Sequence, residues 1–192
     1  MYEGIHYLWN VSFDKTLNEY DTVVSKCRDI FFKKTQDYGT SWRVMRPKSL
    51  TDQMYIKAKR IKTIEEAGSQ KIADSISDEF RALVNYGYMA LIQLNASSEL
   101  PIDVDEKTLL SLYQNTSHEV RLLMIAKNSD YGEAWRDMRV SSFTDLILAK
   151  LQRIKQIEDN QGATLVSEGV EGNYKDIINY SIFALIQLKD LK

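Results

Sequence analysis

The sequence predicts an all-α fold: a six-helix bundle made of two tandem three-helix repeats with internal pseudo-twofold symmetry. Three observations point there. First, the chain contains one pattern twice. Lys34, Asp37, Tyr38, Gly39, Trp42, Arg43, Met45 and Arg46 return 93 positions later as Lys127, Asp130, Tyr131, Gly132, Trp135, Arg136, Met138 and Arg139. Lys57, Arg60 and Glu65 return as Lys150, Arg153 and Glu158; after one extra loop residue, Asn85-Tyr86 and the run Ala90 to Leu94 return as Asn179-Tyr180 and Ala184 to Leu188. Second, apolar residues in both copies recur at three- and four-residue spacing, the period of a helix face, whereas the weak alternation from Tyr7 to Val11 stands alone. Third, only two prolines and eight glycines interrupt 192 residues, few breaks for so long a chain.

The elements follow in order. Residues 1–13 are aromatic-rich, without the basic start and small-residue cleavage site of a signal peptide, and are set apart as an N-terminal extension of unassigned role. The first repeat spans 14–95. Its first helix, about Leu17 to Thr35, carries Val23, Val24, Cys27, Ile30 and Phe31 at helical spacing and stops at Gly39, the residue type that takes left-handed backbone most readily. A loop through Trp42 and Pro47 leads to Ser49-Leu50-Thr51-Asp52. That tetrapeptide reads as a cap, with Ser49 accepting from first-turn amides and Asp52 at the positive end of the dipole. The second helix runs to about Glu66, closed by Gly68, and the third from about Ala73 to Asn95. Residues 96–105, with Pro101, form a linker short enough to hold the halves together. The second repeat, 106–192, mirrors the plan with helices over about Glu106 to Asn128, Ser142 to Asp159 and Leu165 to Lys189. Each third helix turns apolar on nearly every side near its end, as in Ile177, Ile178, Ile182, Phe183, Leu185 and Ile186. A helix apolar all round is buried, so these two should form the centre.

Composition narrows the function classes. A formal net charge of −2 argues against a generic nucleic-acid footprint. The longest apolar stretch, Ile177 to Leu188, is short and broken by Asn179, Tyr180, Ser181 and Gln187, so no membrane span is expected. The single cysteine, Cys27, sits in a helical pattern as a small apolar residue, which places the chain in a reducing, cytoplasmic compartment. His6 and His118 are unpaired, so neither a zinc site nor a histidine-based triad is supported.

Three groups of residues could carry chemistry. On a continuous helix at 100° per residue, with Glu168 as origin, Glu171 lies at about −60°, Asp176 at about 80° and Asn179 at about 20°. Two carboxylates one turn apart, followed by an amide, could hold a hard divalent cation; the competing reading is a solvated helix face. In the first repeat, the matching positions are Asp74, Ser77, Ala82 and Asn85, so the more complete version is the second. The middle helices supply cations: Lys57 with Arg60, and Lys150 with Arg153, share a face three residues apart. They suit phosphate contact, or equally snorkelling stems and ion pairs. Glu65 and Glu158, at the helix end where the dipole disfavours acids, suggest a ligand or salt-bridge role. Finally, the twice-occurring loop combines Asp37, Trp42 and Arg43, and Asp130, Tyr131, Trp135, Arg136 and Arg139. A base could stack on the aromatics while Arg meets phosphate, or the aromatics could plug the bundle end.

The combined run Lys-x-x-Asp-Tyr-Gly-x-x-Trp-Arg, Lys-x-x-Arg-Ile-x-x-Ile-Glu, Glu-Gly-Val-Glu and Ile-Ile-Asn-Tyr-Ser resembles the nucleotide modification associated domain 1 family, over roughly Lys33 to Leu94 and Ala126 to Leu188. More distantly it is similar to MazG-like all-α nucleoside triphosphate pyrophosphohydrolases. That likeness implies a MazG-like bundle and a magnesium ion, or manganese, held by Glu168, Glu171 and Glu158, with Glu168, Glu171 and Asp176 catalytic. Lys127, Asp130, Tyr131, Trp135, Arg136, Arg139, Lys150, Arg153 and Asn179 would bind substrate. Lys34, Asp37, Trp42, Arg43, Lys57, Arg60, Asp74 and Asn85 would form a weaker second copy. The chain departs from the enzymes where their second helix carries paired acids; Lys150 and Arg153 stand there instead. The expected function is a metal-dependent pyrophosphohydrolase converting a nucleoside triphosphate to monophosphate and pyrophosphate, or another nucleotide-processing protein. The alternatives are a non-catalytic nucleotide-binding module and a structural bundle for oligomerisation, with a homodimer admitted.

Overall fold

The computed structural model describes residues 2–69, 75–97, 99–163 and 168–190, with side chains from Phe13 onward. Among these residues there are six α-helices and no strand: α1 (Tyr2–Tyr38), α2 (Pro47–Ala67), α3 (Ile76–Asn95), α4 (Glu106–Tyr131), α5 (Val140–Asp159) and α6 (Val170–Gln187). Short 3-10 turns, Ser41–Val44 and Ala134–Asp137, join α1 to α2 and α4 to α5. None of the described helices is long and apolar enough to cross a membrane.

α3 and α6 pack against each other at the centre, α2 lies on α3, α5 on α6, and α2 against α5, while α1 and α4 each touch both central helices. The expected stop signals act as such. Gly39, Gly68 and Gly132 sit at φ 61°, 63° and 60°, and each amide closes the last turn onto the carbonyl four residues back, Thr35, Ile64 and Asn128. Tyr20, Val23, Cys27 and Phe31 form the buried stripe of α1, and α6 is buried on almost every side from Asn173 to Ile186. At the closest approach of the central pair stands Gly87: a Cβ there would lie 2.5 Å from Ile178 Cγ1.

Four local expectations are corrected. α1 begins at Tyr2, not Leu17, so no break marks an extension at residue 13. α2 begins at Pro47, with Arg46 in the cap position and no side-chain cap; proline, whose fixed φ suits a first helical turn, overrides the Ser49 signal. α5 likewise starts at Val140 with Arg139 before it, ahead of Ser142. α6 starts at Val170 behind a Gly169 cap in extended backbone, which leaves Glu168 off the helix and exposed. Ala73, Asp74 and Leu165 lie outside the described residues. The first turn of α3 is instead held by a capping box, Ser75 with Asp78.

The α2–α5 contact explains why Thr51, Asp52, Lys62 and Glu65 recur. Thr51 donates to Glu158 Oε1 at 3.0 Å, and its counterpart Thr144 donates to Glu65 Oε1 at 3.0 Å. Lys155 meets Asp52 at 2.8 Å, and Lys62 meets Asp145 at 2.8 Å. Each pair is the other with the repeats exchanged, as an isologous twofold contact requires. Asp52 therefore pairs across the interface rather than serving its own dipole.

Burial raises the Glu65 and Glu158 carboxyls above the usual range, against the opposing pull of the Thr144 and Thr51 hydroxyls. An acid whose folded pKa is raised stabilises the fold fully below its unfolded value, and that contribution is lost as pH rises through the folded value. The Glu65→Gln/Glu158→Gln variant keeps the acceptors without the charge. Its melting temperature should equal or exceed that of the parent at neutral pH, and the difference should shrink towards pH ~4, near the unfolded carboxyl value. A variant clearly less stable at neutral pH would contradict this account.

Candidate functional site

Each repeat encloses a cavity at the same place. The one in the first repeat, about 330 Å³, is lined by Phe31 and Lys34 from α1, Lys57 from α2, and Glu79, Ala82, Asn85, Tyr86 and Met89 from α3, among others. The one in the second repeat, about 250 Å³, is lined by Met124, Lys127, Asn128 and Tyr131 from α4, Trp135 and Met138 beyond it, Leu146 from α5, and Asp176, Asn179, Tyr180 and Phe183 from α6. Phe31, Lys34, Ala82, Asn85, Tyr86 and Met89 correspond by repeat to Met124, Lys127, Asp176, Asn179, Tyr180 and Phe183.

The recurring asparagine anchors the third helix of each repeat to the first. Asn85 Nδ2 donates to the Cys27 carbonyl at 3.0 Å, and Asn179 Nδ2 to the Val120 carbonyl at 3.4 Å; Cys27 and Val120 are themselves repeat-equivalent. In the second repeat the Asn179 carbonyl oxygen is also satisfied, by the Tyr20 hydroxyl at 2.8 Å. The equivalent bond from Tyr113 to Asn85 is not made, and both the Asn85 Oδ1 and the Tyr113 hydroxyl stay without a protein partner.

The acids and bases are arranged differently in the two cavities. Asp176, only 3% exposed, is clasped by Lys127 Nζ at 2.5 Å on one oxygen and Lys150 Nζ at 2.6 Å on the other. Burial works against the charge on Lys127, but the Asp176 bond, the Asp176 charge and the more distant Glu168 and Tyr180 outweigh it and raise its pKa. In the first repeat the acid is Glu79, 1% exposed, which pairs with Lys57 at 3.2 Å and with Arg60. Glu79 reaches from one turn before Ala82, the position equivalent to Asp176. Of the adjacent acids Asp78 and Glu79, the second is the buried counter-ion of α2.

The loop residues divide. Trp135 is stacked on Phe183 (4.3 Å, 7°) and carries the Arg136 guanidinium at 4.4 Å, so both faces are covered and no base can stack there. Its indole N–H donates to Asn128 at 3.0 Å; Trp42, with Thr35 in place of Asn128, has no partner for its own indole N–H. Arg136 points away from the cavity, to Glu133 and Glu19, and Arg43 holds the linker carbonyls of Leu100 and Pro101. The Gln187 amide nitrogen donates to the Trp135 carbonyl, as Gln93 does to Arg43. These recurrent loop groups therefore build the bundle end. Asp37, Asp130, Arg139 and Arg153 are exposed and outside the cavity linings; Tyr131 lines the second cavity while 73% exposed.

The magnesium reading needs converging carboxylates, and the donors do not converge. Glu171 pairs with Lys175 at 2.6 Å, Glu158 is bound to Thr51, and both Asp176 oxygens are held by lysines. Glu168 lies off the helix, packed over Gly172. Among the described residues, no three His, Cys, Asp or Glu side chains come together to hold a metal ion. The described residues do not fit such an ion.

Comparison with protein families matches the chain to nucleotide modification associated domain 1 twice, over residues 34–94 and 127–188. Neither the comparison with curated proteins nor that with solved structures returns a match. The two matches cover most of the residues lining the two cavities and most of the sequence, and the chain belongs to the nucleotide modification associated domain 1 family, in tandem copies.

Proposed function

We propose that this chain is a nucleotide-binding module, with a phosphate end near the recurring lysines and the base or sugar against the apolar and tyrosine wall. The observation that carries this reading is the repetition of one cavity with the same Lys, Asn and Tyr at the same places, Lys34, Asn85 and Tyr86 against Lys127, Asn179 and Tyr180. A bundle needs no lysine beside a cavity to be stable, whereas a small-ligand site needs a mostly apolar hollow of a few hundred Å³ with a few convergent polar groups. The family description points the ligand class towards nucleotides. Binding is favoured over metal-dependent hydrolysis because a lysine and an asparagine line each cavity, while Asp176 and Glu79, the buried carboxylates there, are each held by two cationic side chains.

The test is thermal denaturation with a panel of nucleoside mono-, di- and triphosphates. A ligand at 100 times its Kd stabilises by about 2.7 kcal/mol, roughly 5–10 °C for a chain of this size. The Lys34→Ala/Lys127→Ala variant should lose that shift. A panel with no shift in the parent chain would overturn the reading, and release of pyrophosphate in the presence of magnesium or manganese would restore the hydrolase alternative.

A further inference from the structure

The two cavities differ at one position that decides what each can accept. In the second repeat the Asp176 carboxylate bridges Lys127 and Lys150. In the first repeat the equivalent residue is Ala82, and Lys34, Lys57 and Ala82 line the same cavity. Lys34 has no acidic partner among the described residues, and Glu79 is divided between Lys57 and Arg60. Asn85, 7% exposed, also lines this cavity, with its Oδ1 buried and unpartnered, whereas Asn179 Oδ1 is taken by Tyr20.

We propose that the first repeat holds the open anion site of this protein: a phosphate group occupies, between Lys34 and Lys57, the place that the Asp176 carboxylate fills in the second repeat. The second repeat thus bridges its two lysines with its own side chain, whereas in the first Glu79 meets Lys57 and Arg60 but not Lys34, which is left to an anion from solution. The adjoining wall of Tyr86 and Met89 takes the rest of the ligand, so the chemistry recognised is an anion carried by an organic group, as in a nucleoside monophosphate. This reverses the expectation that the second repeat is the fuller site. It rests on the nucleotide-binding reading only for the organic part of the ligand; the anion arm stands by itself.

The experiment is isothermal titration of the intact chain with inorganic phosphate and, separately, with deoxynucleoside 5′-monophosphates. The parent should bind one equivalent of phosphate. Ala82→Asp installs the second repeat's carboxylate and should weaken phosphate binding at least tenfold. Asp176→Ala frees Lys127 and Lys150 and should add a second equivalent. Lys34→Met, at an exposed position, should also weaken binding tenfold and serves if Ala82→Asp fails to fold. Absence of phosphate binding by the parent, or unchanged affinity in folded Ala82→Asp or in Lys34→Met, would overturn the proposal. The two readings fail separately. Monophosphate binding that survives Ala82→Asp but is lost in Lys127→Ala sinks the anion site and keeps the nucleotide reading; phosphate binding with no added affinity for monophosphates does the opposite.

Discussion

Replacing Lys127 and Lys150 together by methionine should lower the stability of the chain by about 3–5 kcal/mol, the cost of leaving a buried charge without its partners. Asp176 is 3% exposed and both its oxygens are bound by these two lysines, so the double change leaves the carboxylate with neither cation. For a chain of this length the loss corresponds to a fall in melting temperature of roughly 6–20 °C. Adding Asp176→Ala to the double variant should return most of that stability, because the unpaired carboxylate is then gone and only apolar side chains remain. Asp176→Ala alone should be milder than the double lysine change. Lys127 has its side chain 38% exposed and Lys150 16%, and their flexible stems can carry the ammonium groups to solvent. Equilibrium urea unfolding of the four proteins decides the matter. A triple variant no more stable than the double would show that the lysines act through packing rather than charge.

Gly87→Val should also destabilise the chain. The central helices meet where this glycine lies, and a Cβ would sit 2.5 Å from Ile178 Cγ1 and 3.0 Å from its Cδ1. The near atom is part of a fully buried side chain, so α3 and α6 must separate or Ile178 must leave its rotamer. Overpacking of this kind costs about 1–3 kcal/mol and occasionally more. Gly87→Ala meets the same contact but recovers up to about 1 kcal/mol of helix propensity, so it should fall between the parent and the valine variant. The measurement is a double-mutant cycle with Ile178→Ala. Ile178→Ala alone leaves a hole, at about 2–5 kcal/mol; combined with Gly87→Ala it should cost clearly less than the sum of the two. Additive losses would place the strain elsewhere.

Particular residues show how far the amino-acid order alone could lead. The bundle plan was legible because Gly39, Gly68 and Gly132 end helices by a local conformational preference and the twice-repeated apolar spacing allows one architecture. Glu168 was misplaced because angular arithmetic assumes an unbroken helix, while Gly169 takes extended backbone just before α6. Ser49 was misread as a cap because proline two residues earlier can also begin a helix, and nothing local ranks the two. Thr51, Asp52, Lys62 and Glu65 recur for a reason a single repeat cannot reveal: their partners lie in the other copy. Lys127, Tyr131, Trp135, Asp176 and Asn179 do line one cavity, and the recurrence of all of them but Asp176 was the usable clue. Ala82 was visible as the place where the first copy differs from the second, but what the difference does depends on Glu79, one turn earlier, pairing with Lys57 and Arg60, which repeat matching does not show.

The Thr51–Glu158 and Thr144–Glu65 contacts are those of a symmetric pair, yet here both partners belong to one polypeptide. Two identical subunits joined by such a face must carry the same side chain at both equivalent positions, so a carboxylate in one hollow is a carboxylate in the other. Covalent fusion removes that obligation. Aspartate can then remain at one position while alanine occupies its counterpart, and a single chain can keep one hollow closed by its own charge beside another left open.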